Sequence, residues 1–267
     1  MADFSRVQGT TKGNVLLRKK QYQLSDDESW SLHAARLMIG GKIQNYRNIL
    51  RRYIRDYGEN EDVNQAVQVL EHAKREALTA QDKTTLIGYE GMASNAYFEV
   101  LPILILNQKA DFPFHGRNRR PPKDAVNAML SFAYTLIANE ISAALETVGL
   151  DPYVGFLHTL RPGRTSLALD MMEEFRAYLG DRFVLSLINK RQITSKDFLF
   201  QGDNGVVMTD KGKKIFISAW QAKKREVIIH PYLNEKIEIG LLPYAQAMLM
   251  ARYIRQDIDN YPVFLIK

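Results

Sequence analysis

The chain contains no cysteine among its 267 residues. Disulfide bonds and thiolate chemistry are therefore excluded, and the composition fits a reducing compartment. The longest uninterrupted apolar run covers residues 100–106 and is far shorter than the ~20 residues of a membrane-spanning helix. No apolar segment follows Met1, as a signal peptide would require. These absences predict a cytoplasmic protein that does not enter a membrane.

Several catalytic motifs are missing as well. The five histidines form no HExxH or HxH pair, and no Glu-x-x-His pair is present, which disfavours a zinc protease and a ferritin-like di-metal bundle. There is no GxGxxG or GxxxxGK[ST] phosphate loop, so a nucleotide-driven enzyme is disfavoured. A triad of Ser166, His158 and Asp170 would lack the nucleophile elbow that such hydrolases use.

Positive charge is in excess and is clustered. The formal net charge is +6. Any one cluster would be an ordinary solvated face, but four of them together favour a polyanionic partner. The clusters are Lys42, Arg47, Arg51, Arg52 and Arg55; Arg117, Arg119, Arg120 and Lys123; Arg161 and Arg164; and Lys211, Lys213, Lys214, Lys223, Lys224 and Arg225.

The hydrophobic pattern predicts a mainly α fold, with a single helical domain over residues 13–267 and a small β-hairpin. Residues 1–12 are polar and aperiodic and are interpreted as a linker or a remnant of another domain. The stretch after Gly13 fits either a strand or a helix. Predicted helices cover 25–57, 61–79, 82–107, 123–147, a segment from 167, 181–190, 209–226 and 241–258, with a hairpin at 198–208, a linker at 228–239 and a docked tail at 262–267.

Local signals set some of these boundaries. Ser25 and Glu28 have the spacing of a capping box. The helix predicted from residue 82 is apolar nearly all round, which indicates burial. Glu90 lies inside it, between Gly88 and Gly91. Because a buried carboxylate is costly unless it is paired or binds a metal, and two glycines permit close approach of a ligand or another backbone, Glu90 is a candidate functional residue.

A second group of candidates lies in residues 154–176. His158 precedes a basic turn with Arg161 and Arg164, and Thr165 or Ser166 can cap the helix that follows. On that helix Asp170 and Glu173 are three residues apart and share a face. An imidazole and carboxylates near apolar residues are the ligand types of a divalent cation. The alternative is a solvated helix face beside a core histidine.

Together the residues indicate a divalent-metal site on a basic, helical scaffold. Glu90, His158, Glu173 and Asp170 are its candidate ligands. A metal ion among arginines suits phosphodiester chemistry, because the cation polarises a phosphoryl oxygen while the arginines hold the phosphate backbone.

Five long segments, in order, resemble the CRISPR-associated integrase and endonuclease of spacer acquisition, most closely its type I-C branch. They are GNVLLRK, GYEGMASNAYF, FPFHGRNRRPPKDAVNAMLSFAY, GFLHTLRPGRTSLALDMMEEFR and DIDNYPVFLIK. The resemblance runs from about Gly13 to Lys267. Family members begin with an N-terminal β-rich domain, and the resemblance implies that this chain lacks it.

The resemblance implies a metal triad of Glu90, His158 and Glu173, preceded by the carboxylate of Asp170, with Mn²⁺ or Mg²⁺ as the cofactor. The implied reaction is phosphoryl transfer on double-stranded and branched DNA, by which foreign fragments become new spacers. The family works as a homodimer with a small ferredoxin-like CRISPR adaptation partner.

By the same resemblance, Arg119, Arg120, Arg161 and Arg164 would hold the DNA backbone, and Asn95 and Tyr97 would line the site. For these six residues, loop ordering or core packing is an equal alternative. For the whole chain, the alternative function is a DNA-binding or assembly lobe with little catalysis, because the N-terminal domain is missing.

Overall fold

The computed structural model describes residues 14–266, and this range is mainly α-helical. The mainly α fold is confirmed, while the segment 1–12 lies outside the described residues. The helices are α1 (Val15–Asp26), α2 (Glu28–Tyr57), α3 (Glu61–Thr79), α4 (Lys83–Val100), α5 (Ala125–Val148), α6 (Ser166–Phe175), α7 (Arg182–Asn189), α8 (Asp210–Lys224) and α9 (Leu242–Ile254). The strands are β1 (Phe198–Phe200), β2 (Val206–Met208), β3 (Val227–Ile229) and β4 (Lys236–Glu238).

The long helix α2 is central to the packing. It contacts α3 and α4 on one side and α6 on another. Its apolar residues recur at helical spacing and have almost no exposed surface, among them Met38, Ile39, Ile43, Tyr46 and Leu50. Burial of an aliphatic side chain of this size contributes roughly 1.5–3 kcal/mol. The position of α2 therefore fixes where α4 and α6 present their side chains.

Helix α5 forms the other half of the core, packed against α6 and α9. It is the one helix in the described range that is long and apolar enough to cross a membrane, with a mean hydropathy of 1.3 in its most apolar window. Since 56% of that window is buried, α5 has the burial of a core helix in a globular domain.

The caps of the two N-terminal helices differ from the predicted one. The undecided stretch after Gly13 is α1, and Asn14 caps it by accepting a hydrogen bond from the backbone N–H of Leu16 at 3.1 Å. The predicted capping box at Ser25 is wrong. Asp27 caps α2 instead, with Oδ1 accepting from the N–H of Trp30 at 2.9 Å. Asp27 is extended and breaks the helix, so α1 and α2 are separate.

Helix α4 is shorter and less buried than predicted. It ends at Val100, and a 3₁₀ turn over Leu101–Leu104 follows. Pro102 has no N–H for an α-helical hydrogen bond, so the tighter turn replaces the last predicted helical residues. Ile87 is 51% exposed and Met92 36%. The prediction of burial all round is therefore wrong, and one face of α4 is open to solvent.

The hairpin of β1 and β2 is confirmed, with Phe198 opposite Met208. Gly205 in its loop has a φ of +82°, and a Cβ there would collide with the carbonyl oxygen of Pro122, so a side chain is strained at this position. The linker predicted at 228–239 is wrong, because β3 and β4 form a second hairpin there. His230 closes its turn, since its N–H donates to the carbonyl of Glu235 at 2.8 Å.

The C-terminal tail docks on the core, as predicted. Phe264 is 2% exposed and lies against Phe175 with ring centroids 5.5 Å apart. Asn45 of α2 donates to the carbonyl of Phe264 at 2.8 Å and accepts from the N–H of Ile266 at 2.9 Å. The tail is thereby tied to the same helices that carry the candidate site.

Candidate metal centre

Three helices bring two of the predicted ligands together around one lysine. Glu90 lies on α4, Glu173 on α6, and Lys42 of α2 stands between them. The Lys42 Nζ forms an ion pair with Glu90 Oε1 and lies 2.7 Å from Glu173 Oε2. The Lys42 and Glu173 side chains are 4% exposed, and Glu90 is 25% exposed. A cation thus joins the two carboxylates at the edge of the core.

Each carboxylate has a further partner. The Ser94 hydroxyl donates to Glu90 Oε1 at 2.8 Å, one helical turn along α4. Arg176 Nε lies 2.9 Å from Glu173 Oε2. That buried oxygen is held by its ion pairs with Lys42 and Arg176. A carboxylate oxygen is also the ligand type that Mg²⁺ binds.

The surroundings keep both carboxylates ionised. Burial by itself would raise the pKa of Glu173, but Arg176 and Lys42 outweigh it and lower the pKa to about 2. Burial and the charge of Glu173 raise the pKa of Glu90, while Lys42 and the hydrogen bond from Ser94 lower it. The lowering effects are larger, so the net shift is downward. Ionised carboxylates are the form that a metal ion requires.

His158 is oriented by Asp170. The buried Asp170 carboxylate accepts from the backbone N–H groups of Phe156, Leu157 and His158 at 2.6, 2.9 and 3.0 Å. It also lies 2.5 Å from His158 Nδ1. This network assigns the ring proton to Nδ1 and leaves the lone pair of Nε2 available.

The role of Asp170 differs from the one predicted. Asp170 was a candidate catalytic carboxylate beside Glu173, but it has no exposed surface and its oxygens are committed to the 156–158 loop. We therefore interpret it as a positioning residue for His158. A carboxylate that orients a histidine is the usual outer partner of a metal-binding imidazole.

Gly155 makes room for this arrangement. A Cβ on Gly155 would lie 2.5 Å from Asp170 Oδ2 and 2.8 Å from the backbone carbon of Ser166. We expect Gly155→Ala to lower the free energy of unfolding by about 1–3 kcal/mol, because neither the carboxylate nor the backbone can withdraw cheaply. Urea denaturation checks this. Gly88→Ala is the matched control, since no atom lies within 4 Å of a Cβ there; equal stability of the two variants would contradict the expectation.

The glycines beside Glu90 leave open space. Apart from the neighbouring backbone of α4 itself, no atom of the described residues lies within 4 Å of a Cβ built on Gly88 or Gly91. The predicted alternative that another part of this backbone approaches them is therefore wrong within the described chain. The exposed face of α4 next to Glu90 remains accessible to a ligand.

The donor set fits a divalent cation. Nowhere in residues 14–266 do three His, Asp or Glu side chains converge closely enough to bind a metal ion as they stand. The ammonium of Lys42 stands between two of the candidate donors, the carboxylates of Glu90 and Glu173. Two carboxylates and one imidazole nitrogen are nevertheless donors that Mn²⁺ and Mg²⁺ accept, and a cation already lies between two of them.

Five of the six predicted DNA-binding residues reach the surface. Four of them are exposed, namely Arg119, Arg120, Arg161 and Asn95, and Arg164 is half-buried. The two loop arginines Arg161 and Arg164 lie between His158 and α6, so they flank the site in sequence.

Tyr97 is corrected. It has no exposed surface and stacks on Tyr46, with ring centroids 3.9 Å apart. A ring in this position cannot contact DNA, and it belongs to the core beneath the site.

Sequence reasoning missed Lys42 and Arg176 as site residues. Lys42 follows Met38 and Ile39 at the spacing of the buried face of α2, and a lysine on an apolar stripe is a sign of a buried partner. Arg176 begins a π-helical turn over Arg176–Asp181 and lies over the Tyr134 ring, 4.7 Å from its centroid. Only the structure reveals that this turn aims Arg176 at Glu173.

Comparison with known proteins shows the family of the chain. The profile of the family described as "CRISPR associated protein Cas1" matches residues 3–222. The CRISPR-associated endonuclease Cas1 1 of Chlorobaculum tepidum is 49% identical over 263 residues, which is 97% of this chain and 77% of the relative. The CRISPR-associated endonuclease Cas1 of Leptospira interrogans is 43% identical over 94% of this chain and 100% of its own length.

Solved structures share the fold. A CAS1 protein from Thermotoga maritima superposes with a TM-score of 0.76 at 24% identity, covering 96% of this chain and 74% of that one. A casposase bound to its integration product superposes with a TM-score of 0.77 at 23% identity, covering 92% and 70%. With a family profile over most of the sequence and relatives above 40% identity, the chain belongs to the CRISPR-associated Cas1 family.

Proposed function

We propose that the chain is a metal-dependent DNA endonuclease and integrase that joins foreign DNA fragments to a CRISPR array by phosphoryl transfer. The observation that carries the proposal is the meeting of Glu90 and Glu173 around a cation. The imidazole of His158, oriented by Asp170 of the helix that carries Glu173, supports it. Endonuclease is the activity in the names of the relatives.

In this proposal, Glu90, His158 and Glu173 would hold Mn²⁺ or Mg²⁺, which when bound polarises a phosphoryl oxygen and stabilises developing negative charge. Asp170 keeps the His158 proton on Nδ1, so that the lone pair of Nε2 is free to bind a metal ion. Arg176 keeps Glu173 ionised and in place.

The substrate side of the site is basic. Arg161 and Arg164 lie in the loop directly after His158, and Arg119 and Arg120 precede α5. Guanidinium groups bind phosphodiesters through two parallel hydrogen bonds. The attacking group is a 3′-hydroxyl of incoming DNA in integration and water in cleavage. Its oxygen forms the new bond to phosphorus as the bond to the leaving oxygen breaks.

The proposal also covers the partners with which the chain assembles. One solved structure that shares the fold, at 21% identity and a TM-score of 0.77, is a Cas6-RT-Cas1–Cas2 complex. We propose that this chain likewise acts on double-stranded and branched DNA with a small ferredoxin-like adaptation partner, as a homodimer in the cytoplasm. The type I-C assignment and the lack of an N-terminal β domain stay predictions.

The test is cleavage of a branched DNA by the purified chain with Mn²⁺, with EDTA, and by Glu90→Gln. Activity that needs Mn²⁺ and is lost in the other two samples supports the proposal. DNA binding by folded protein without cleavage in any sample would favour the alternative, a non-catalytic DNA-binding or assembly lobe. Absence of DNA binding at low salt would reject both.

The loop arginines give a second prediction. Because each neutralised phosphate contact contributes about 0.9 to the slope of log K against log salt, Arg161→Gln with Arg164→Gln should reduce that slope by about 2. The measurement is fluorescence anisotropy with labelled duplex at salt concentrations between about 50 and 200 mM, which bracket physiological ionic strength.

The control for this experiment is the double variant Arg75→Gln and Lys236→Gln, which removes two exposed charges on α3 and β4. It should leave the slope close to that of the wild type. If both double variants change the slope equally, binding depends on net charge alone and these arginines are not specific phosphate contacts.

A further inference from the structure

The position of Lys42 conflicts with that of a bound metal ion. Its ammonium is in ion-pair contact with Glu90 Oε1 and lies 2.7 Å from Glu173 Oε2. A metal ion bound by both carboxylates would lie about 2.0–2.2 Å from their oxygens, in the same small volume. Two cations cannot share it, because the repulsion of like charges at this separation in a buried site is large.

The charges at the site are already balanced. Glu90 and Glu173 contribute two negative charges, and Lys42 and Arg176 contribute two positive ones through the observed ion pairs. A divalent cation added to this group would leave two positive charges in excess. The excess is costly unless an anion arrives with the metal, and a DNA phosphodiester is the anion that the proposed reaction supplies.

Helix α2 cannot move to make room. Ile39 and Ile43, on either side of Lys42, are buried in the core. A Cβ on Gly40 would lie 2.8 Å from Leu78 Cδ2, and one on Gly41 would lie 3.0 Å from Val263 Cβ, so the helix is packed closely on two sides. The change must come from rotation of the flexible Lys42 side chain, whose four-carbon stem carries the ammonium several ångströms.

We propose that Lys42 occupies the cation position between Glu90 and Glu173 until a DNA phosphodiester takes its ammonium, so that metal and DNA bind with positive coupling. This inference rests on the proposed function of the same residues. Lys42 then becomes a contact of the phosphate that reacts. In the absence of DNA it lowers the affinity for metal, which limits cleavage by protein that is not engaged on a substrate.

The test is the dissociation constant of Mn²⁺, measured from the electron paramagnetic resonance signal of free Mn²⁺. It is measured with and without a branched DNA of nuclease-resistant phosphorothioate backbone. For the wild type, DNA should tighten Mn²⁺ binding about tenfold or more, the usual size of a coupling free energy. Without DNA, Lys42→Met should bind Mn²⁺ at least about tenfold more tightly than the wild type, and the further effect of DNA should shrink to less than about threefold.

Two variants protect the test against misfolding and general charge effects. Lys42→Gln keeps a hydrogen-bond donor for the carboxylates and removes only the charge, and it should behave like Lys42→Met. Lys74→Met is the matched control, since Lys74 of α3 contacts Gln44 at 2.8 Å and no carboxylate of the site. It should keep the wild-type Mn²⁺ affinity. Circular dichroism verifies the fold of each variant.

The outcomes separate this inference from the proposed function. If Mn²⁺ binding is lost in Glu90→Gln but is equal or weaker in Lys42→Met and Lys42→Gln than in the wild type, the Lys42 inference is overturned while the metal centre stands. If Glu90→Gln leaves Mn²⁺ binding unchanged in every sample, the Lys42 inference and the proposed function both fail.

Discussion

Replacing His158 with alanine is expected to lower the rate of Mn²⁺-dependent DNA cleavage by a factor on the order of 10³. His158 supplies the nitrogen donor of the proposed site, and its Nδ1–H is held by Asp170 at 2.5 Å. Without it, two carboxylates remain, and Lys42 is already paired with both. The measurement is the initial rate on branched DNA at saturating Mn²⁺.

The loss should be one of chemistry and not of folding. Asp170 keeps three backbone N–H partners in this variant, from residues 156–158, so the loop stays anchored. His72→Ala is the matched control, because His72 is an exposed histidine on α3 that pairs with Glu76 of the same helix. DNA affinity should be unchanged in both. A His158→Ala rate within tenfold of the wild type would exclude His158 as a ligand.

Much of the fold follows from local pattern. The helical period that includes Ala35, Met38, Ile43 and Ile49 predicts the buried face of α2, and all four are buried. The turn residues at 202–205 predict the first hairpin. The second hairpin escaped prediction because its strands have three residues each, with side chains that are exposed or half-buried. Strands so short produce no apolar alternation to detect.

The site is predicted less completely than the fold. Residue types and spacing suggested Glu90, His158 and Glu173, and the resemblance to a family implied them as a triad. The structure brings the two carboxylates together. It could not supply the hydrogen bonds of Asp170, which depend on the loop folding back onto α6. Lys42 is 48 residues from Glu90, and a contact between distant helices is set by packing, which no local pattern encodes.

A buried glutamate next to the site holds the C-terminal tail. Glu174 has no exposed surface. Its carboxylate accepts from the Tyr261 hydroxyl at 2.5 Å, from Gln246 Nε2 at 2.9 Å and from the N–H of Phe264. These bonds tie the tail to α6 and α9. Because α6 also carries Glu173, an ordered tail supports the helix that presents this ligand.

We expect Glu174→Ala to lower the free energy of unfolding by about 4 kcal/mol, since three buried donors lose their acceptor at about 1–3 kcal/mol each and some regain water. The Phe264 packing would weaken with them. Urea denaturation in EDTA is the measurement. The control is Glu59→Ala, which removes an exposed glutamate before α3 that accepts a surface hydrogen bond from Asn64. A loss as small as that of the control would contradict the role of Glu174.

Glu174→Gln tests the charge of this residue separately from its hydrogen bonds. Burial raises the pKa of Glu174 from 4.5 to about 7, against hydrogen bonds that lower it. Between these values the unfolded chain has released the proton while the folded chain keeps it, so the wild type loses about 3 kcal/mol of stability as the pH rises through this window. Glutamine has no such proton, and its oxygen still accepts from Phe264 and Gln246. The free energy of unfolding is measured at about pH 4 and about pH 8, on either side of this window, and between them the variant should gain about 3 kcal/mol relative to the wild type. Parallel pH dependences would mean that the Glu174 carboxyl titrates normally, and that the tail is held by hydrogen bonds to an ordinary ionised group.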